Sequence, residues 1–211
     1  MNIGVILAGG VGNRFGSSTP KQYNLINGKQ VISYVVDAFR KSKQTDAVII
    51  VAAKPYLQDL ADRYHVPTVE GGVERNETVY NALQYIRTNY PACTKVIFAD
   101  SARPMLTPVY IDRVYSLLDE HAAVITTAKI TDSLAYLDTG LVPREDYRLI
   151  QTPEAFRFAT LDGFDPGDAS TAIMQQCNSN DIYYCDELSY NFKITYPRDL
   201  KIAQVLLEEE Q

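Results

Sequence analysis

The run Ile3–Tyr23, IGVILAGGVGNRFGSSTPKQY, decides how the rest of the chain is read. Its first part, Ile3–Leu7 (IGVIL), is an unbroken apolar stretch of strand length, as in a strand covered on both faces. Its second part, Leu7–Tyr23, turns abruptly to glycine and charge. Gly9, Gly10, Gly12 and Gly16 remove Cβ atoms where a backbone must turn tightly or let a ligand approach. Such a loop exposes backbone N–H groups, which can hold phosphate oxygens. Arg14 and Lys21 add two fixed positive charges to it. Strand, glycine-rich loop, arginine and then Pro20-Lys21 is what binding a triphosphate requires. A plain strand-to-helix turn would account for the glycines equally well, but it has no use for the cations.

Two better-known phosphate motifs do not fit. GGVGNRFG is not closed by Gly-Lys-Ser/Thr, as a P-loop would be. Nor do its glycines follow G-x-G-x-x-G with an acidic residue at a second strand end about twenty residues on.

Downstream, apolar periodicity alternates between two patterns. Val31–Lys41 carries a helical stripe, and Ala47–Ala53 is a continuous apolar strand. Pro55–Tyr64 reads as a helix, Val66–Val69 as a short strand ending at Gly71-Gly72, Thr78–Arg87 as a helix and Lys95–Ala99 as a strand. Strands alternating with helices predict a three-layer α/β/α sandwich on a mostly parallel, Rossmann-like sheet. Ligands of such sheets lie beyond the carboxyl ends of the strands. The glycine-rich loop, Gly71-Gly72 and Asp100 all fall there. Asp100 opens the sequence DSARP, where a carboxylate near phosphates suits Mg²⁺. An N-cap for the next helix is the alternative role. Arg103, three residues on, could meet a second anion.

Ile111–Glu120 reads as a helix and Ala123–Thr127 as a strand. Thr131–Ile150 differs in character: short β-like pieces flank Asp138-Thr139-Gly140, a hairpin signal, with Arg144 and Arg148 on the return. A surface hairpin with solvated arginines is the simpler reading of that segment. Gln151–Phe156 leads back toward the body, Asn191–Thr195 reads as a last strand and Pro197–Leu207 as a closing helix. Glu208–Gln211 is a short acidic tail. No repeat, low-complexity tract or linker interrupts the 211 residues, so a single domain is expected, with 131–150 an arm within it.

Composition excludes several function classes. A net charge of −6 argues against non-specific binding of nucleic acid, yet leaves room for a nucleotide, which needs only local positive charge. No window approaches a membrane span, and Met1 runs straight into a core strand, so neither a membrane nor a signal peptide is expected. Cys93, Cys177 and Cys185 lack metal spacing and are odd in number, which suits a reduced cytoplasmic protein. His65 and His121 stand in unrelated segments, which disfavours a histidine-based triad or metal site.

Seven short stretches stand in order along the chain: LAGGVGNR, PKQY, GGVERNETV, DSARP, TDS, QTPEAF and NFKITYPRDL. In that order they resemble the polyol-phosphate cytidylyltransferases, which act on 2-C-methyl-D-erythritol 4-phosphate or on ribitol 5-phosphate. The resemblance implies a nucleotide-diphospho-sugar transferase fold and transfer of CMP from CTP to a polyol phosphate. By that likeness Leu7, Ala8, Gly9, Gly10 and Gly12 wrap the nucleotide, with Gly72 and Thr78 near the cytosine. Arg14, Lys21 and Lys193 match the catalytic triphosphate-binding cations, and Asp100 matches the Mg²⁺ ligand. Arg103, Ser133 and Arg144 match residues around the acceptor. The resemblance also implies a homodimer whose 131–150 arm serves the neighbouring subunit.

Departures fall around the acceptor. Ala99 stands where the family often has His, and Ser133 replaces the Thr of an Asp-Thr pair. Ala169-Ser170-Thr171 replaces the Thr-Asp-Glu of the methyl-erythritol branch, and Val73 replaces an acidic residue. LAGG is closer to the ribitol-phosphate branch, where methyl-erythritol enzymes read A-A-G. Three readings follow: a ribitol 5-phosphate enzyme, a methyl-erythritol 4-phosphate enzyme, or a nucleotide-binding regulator without catalysis.

Overall fold

A computed structural model describes residues 1–10, 15–16, 19–138, 140–167 and 172–209. Gly12 and Arg14, expected at the nucleotide, and Ala169-Ser170-Thr171 lie outside these residues. The strands are β1 (Asn2–Ala8), β2 (Leu25–Ile26), β3 (Lys29–Gln30), β4 (Ala47–Ala52), β5 (Thr68–Glu70), β6 (Lys95–Asp100), β7 (Ala123–Lys129), β8 (Leu134–Tyr136), β9 (Gly140–Val142), β10 (Arg148–Arg157) and β11 (Ile182–Cys185). The helices are α1 (Val31–Lys41), α2 (Leu57–Tyr64), α3 (Arg75–Asn89), α4 (Pro108–Leu117), α5 (Ala172–Gln175) and α6 (Pro197–Glu209).

Seven strands form the main sheet in the order β11-β7-β10-β6-β1-β4-β5. β5, β4, β1 and β6 run parallel to one another, while β10 is antiparallel to both its neighbours, β6 and β7. The apolar runs supply both faces because successive side chains point opposite ways. Ile6, Ile50 and Ile97 face the cluster beneath α1 and α4, and Val5, Ile49 and Phe98 the cluster beneath α3. Gly4 breaks the run for a packing reason: a Cβ there would lie 2.5 Å from the ring of the buried Phe39. A third cluster, with Phe15, Val31, Met105, Ile194 and Ala203, seats α6 against the loops at the carboxyl ends. Among the described residues no helix is long and apolar enough to cross a membrane.

Two expectations about strands need correction. Asn191–Thr195 is extended but joins no ladder; Ile194 donates its N–H to Ala102 O at 2.9 Å. The strand nearest the carboxyl terminus is instead β11, at the sheet edge, in residues for which the sequence predicts no element. Gln151–Phe156 is no mere connection, because it lies within β10 at the heart of the sheet. Pro153 hides it, since proline cannot donate to a ladder. The sheet accommodates Pro153 with a register shift between Ile150 and Glu154. The Thr126 hydroxyl donates to Pro153 O at 2.7 Å. The expected hairpin is present as β8 and β9, pairing antiparallel outside the main sheet.

Candidate active site

Two glycine turns at adjacent strand ends form one wall of a cleft. After β1, the Gln22 amide donates to Ala8 O at 2.8 Å and Gly10 O at 3.1 Å, holding the first turn open from below. After β5, Gly71 N donates to Ala52 O at 2.9 Å, and Gly72 N to the Thr78 hydroxyl at 3.1 Å. Thr78 in turn donates to Glu74 O at 3.0 Å. Glu74 and Glu77 form a reciprocal capping box at the start of α3, which satisfies the orphan N–H groups of its first turn. The first turn lies close to α3, since a Cβ on Gly9 would lie 3.5 Å from Thr78 Oγ1; the second turn is itself tight, since one on Gly72 would lie only 2.1 Å from Glu77 Cβ. Flat, narrow walls lined by backbone suit a planar base.

Charge collects on the other wall. Asp100 ends β6, and Lys193 Nζ lies 2.6 Å from its Oδ2. Arg103 Nε lies 3.8 Å from the same oxygen. Burial pushes the Asp100 carboxyl up, but Lys193, then Arg103 and Arg75, outweigh it and hold the group below the usual carboxylate range. Asp100 N donates to the Thr152 hydroxyl at 3.0 Å, which ties the acid to β10. The alternative role of Asp100 as an N-cap falls away, since α4 starts at Pro108 and its cap is Thr107, whose hydroxyl accepts from Tyr110 N at 3.2 Å.

The cleft between these walls, about 370 Å³, brings together Leu7, Gly9, Gly10, Lys21, Gly72, Thr78, Asp100 and Lys193. These residues come from four separate regions of sequence, and all had been expected there. Ala8 is buried behind the first turn. Arg103 faces inward, donating to Asn191 O at 2.5 Å, and does not line the cleft. Ser133 and Arg144 do not line it either. Ser133 is exposed beside the hairpin. Arg144 is held locally by Thr131 O and by Glu145 Oε1, the latter at 3.2 Å.

Among the described residues two carboxylates reach the cleft wall, and Glu74 is committed to the helix cap, which leaves Asp100. No group of three potential ligands of the His, Cys, Asp or Glu type occurs among the described residues. A single carboxylate beside a phosphate pocket fits Mg²⁺, which usually takes one or two carboxylates and completes its shell with phosphate and water. It does not fit zinc, which needs more protein ligands.

Sequence reading missed Arg75, Thr152, Glu154 and Asn191. All four lie inside the stretches GGVERNETV, QTPEAF and NFKITYPRDL, but nothing local marks their roles. Arg75 bonds to Glu154 across the site, and Asn191 Nδ2 donates to Thr152 O at 2.8 Å.

Comparison with known proteins agrees with this architecture. The family model described as IspD, 2-C-methyl-D-erythritol 4-phosphate cytidylyltransferase, matches residues 3–209. A 2-C-methyl-D-erythritol 4-phosphate cytidylyltransferase of Bacteroides thetaiotaomicron is 32% identical, over 96% of this chain and 98% of its own. A ribitol-5-phosphate cytidylyltransferase of Vibrio parahaemolyticus is 28% identical, over 100% of this chain and 98% of its own. The crystal structure of 4-diphosphocytidyl-2C-methyl-D-erythritol synthase from Anaerococcus prevotii superimposes with a TM-score of 0.76 at 22% identity, covering 98% of this chain and 96% of that one. At that identity the last likeness speaks for the fold.

Proposed function

The chain belongs to the 2-C-methyl-D-erythritol 4-phosphate cytidylyltransferase family, and on that premise we propose that it joins CTP to ribitol 5-phosphate, giving CDP-ribitol and pyrophosphate. CTP-dependent transfer to a polyol phosphate is common to its relatives on both sides of the acceptor question. The observation that carries the chemistry is the single cleft in which Lys21, Lys193 and Asp100 face two glycine turns.

The acceptor's phosphate oxygen attacks the α-phosphorus of CTP, a new P–O bond forms, and the bond to the β-phosphate breaks. The electron pair leaves with pyrophosphate. The attacking oxygen is already anionic near neutral pH, so no strong base is required, and no histidine lines the cleft. What the protein contributes is alignment of two anions that repel, and neutralisation of charge growing around phosphorus. Lys21 and Lys193 supply that neutralisation, with Arg14 as a third cation. Asp100 would hold Mg²⁺, which adds divalent charge at the phosphates when bound. Arg103, turned inward, keeps Asp100 and the Lys193 segment in place. It reaches the acceptor phosphate only if its side chain reorients.

The acceptor pocket is completed by a second copy of the chain. Ser133 and Arg144 lie on the 131–150 arm, away from their own cleft, and would serve the cleft of the partner in a homodimer. The free thiols Cys93, Cys177 and Cys185 suit a reducing cytoplasm.

Ribitol 5-phosphate is favoured by LAGG at Leu7–Gly10 and by the replacement of Thr-Asp-Glu with Ala169-Ser170-Thr171. The second reading, 2-C-methyl-D-erythritol 4-phosphate, is favoured by the description of the family and by the 32% identical relative. Pyrophosphate release from CTP with each acceptor decides between them. A kcat/KM at least tenfold higher for ribitol 5-phosphate supports the first reading, and the reverse ratio supports the second. Release with neither acceptor would favour the regulatory role.

A further inference from the structure

The segment Gln151–Glu154 of β10 bonds to Asp100, to Asn191 and to Arg75 without lining the cleft. The Thr152 hydroxyl accepts from Asp100 N at 3.0 Å, on the metal side. Asn191 Nδ2 donates to Gln151 Oε1 at 2.9 Å and to Thr152 O at 2.8 Å, which fixes the segment that carries Lys193. Glu154 reaches the other way. Its carboxylate, on a side chain only 7% exposed, pairs with Arg75. Arg75 is the first residue of α3, lines the cleft and directly follows the turn of Gly72, Val73 and Glu74.

We propose that Arg75 and Glu154 are a positioning pair for CTP: their buried ion pair fixes the base-side turn 71–75 at a set distance from Asp100 and Lys193. Their geometry has that consequence because Gly71 N is tied to Ala52 O on β4, Gly72 N to Thr78 and Val73 N to Glu77, whereas Arg75 is the residue of the turn that reaches across to β10. A nucleotide must meet the turn with its base and the Asp100–Lys193 wall with its phosphates at once. An error of about 1 Å between the two walls is enough to spoil such a simultaneous fit. Burying a carboxylate is costly unless it is paired, so a pair kept here calls for a role beyond stability. The electrostatics agree. Burial raises the Glu154 carboxyl above its ordinary value against the pull of Arg75, and Arg75 also helps lower Asp100, so the two walls are coupled through charge as well as geometry.

The proposal rests on the cytidylyltransferase reading, and CTP binding measured alone separates the two, because it needs no acceptor. Calorimetric titration of CTP into the full-length protein with Mg²⁺ is the measurement, alongside a thermal melt. Arg75→Met keeps the aliphatic stem and removes the guanidinium, and should weaken CTP binding about tenfold. Glu154→Leu should weaken it to a similar extent although Glu154 does not line the cleft, and the double variant should be no weaker than either single one. Glu154→Gln, which still accepts a hydrogen bond, should stay within about threefold of the parent. Wild-type CTP affinity in Glu154→Leu, or losses that multiply in the double variant, would overturn the pairing. If Glu154→Leu does not fold, Arg75→Lys decides. It keeps the charge and loses the planar fork. A lowered Tm with unchanged CTP affinity would reduce the pair to a structural one, while weaker CTP binding with an unchanged KM for the acceptor supports it.

Discussion

The cleft and the arm answer water in opposite ways. At the cleft, Asp100 meets Lys193, Glu154 behind it meets Arg75, and Gly72 N is bonded to Thr78. On the arm, Leu137 is 99% exposed, Leu141 80% and Tyr136 58%. A two-stranded hairpin is marginally stable by itself in water, and apolar residues on it need a surface to cover them. The cleft is therefore lined by residues of one chain, whereas the arm leaves Tyr136, Leu137 and Leu141 without a covering surface in that chain. A symmetric dimer supplies such a surface with the same patch on both copies.

The largest effect should come from the cleft's charges. Lys21→Ala and Lys193→Ala should each lower kcat by about a hundredfold to a thousandfold, as the loss of one charge-stabilising donor does elsewhere, about 3–4 kcal/mol. Melting temperature should move little in Lys21→Ala, whereas Lys193→Ala also takes the nearest cation from the Asp100 carboxylate, which is 13% exposed, and should lower it. Asp100→Asn should be as damaging at ordinary Mg²⁺ and regain part of its activity at high Mg²⁺. Near-normal turnover in either lysine variant would remove that residue from the mechanism.

The arm should show itself in a different constant. Arg144→Ala should raise KM for the polyol phosphate about tenfold or more, the loss of a bidentate contact to phosphate, and leave KM for CTP unchanged. At acceptor concentrations far below the raised KM, where Arg144→Ala is nearly silent, mixing it with Lys21→Ala should recover about a quarter of the wild-type rate, since random exchange leaves one intact site in half the dimers. Mixtures that stay silent after demonstrated subunit exchange would exclude a shared site, and a monomer by light scattering would remove its basis.

A smaller effect belongs to the base wall. The cleft should prefer CTP to ATP and GTP, because two backbone walls this close leave little room for a purine. Gly72→Ala tests the wall directly: its Cβ would stand 2.1 Å from Glu77 Cβ, so the capping box has to shift. Steady-state assays should find KM for CTP raised by about 1–3 kcal/mol of lost binding, the ordinary range for overpacking, with the acceptor KM held. Comparable turnover with ATP would contradict the narrow pocket.

Most of the cleft was legible in the sequence, for a physical reason. Strand ends announce themselves by the stop of an apolar run, and Gly9, Gly72 and Asp100 sit at such stops. Lys21 was legible because a cation after a glycine loop has few other purposes. The parts that escaped act across the fold. Glu154 reads as an ordinary surface acid in QTPEAF, since Pro153 disguises its strand and its partner is 79 residues away. Arg103 reads as a substrate ligand beside Asp100, yet its guanidinium turns inward to Asn191 O. Ile182–Cys185 carries no strand signal in the sequence because an edge strand with Tyr183 and Tyr184 partly in solvent has no buried run.

The smallest effect concerns acid, and it separates the regions by their charges alone. Asp100 lies below its ordinary value in the folded protein, because Lys193, Arg103 and Arg75 outweigh the upward push of burial. A carboxylate depressed by folding adds stability above its unfolded pKa, about 3.9, and loses it as pH falls through the lower folded value. Glu154 has the opposite sign. Burial raises it, so its contribution is greatest in acid and is lost as pH rises through the folded value. In the metal-free protein the two oppose each other on acidification from neutral pH. Denaturant unfolding in EDTA between pH 7 and pH 3 should therefore give a shallow slope for the parent chain. Glu154→Gln should steepen the loss of stability toward acid, and Asp100→Asn should flatten or reverse it. Arm substitutions such as Leu137→Ser should shift the whole curve without changing its slope, since no titrating group is removed. Parallel curves for Glu154→Gln and Asp100→Asn would mean that the two carboxylates do not feel the cations beside them as the geometry requires.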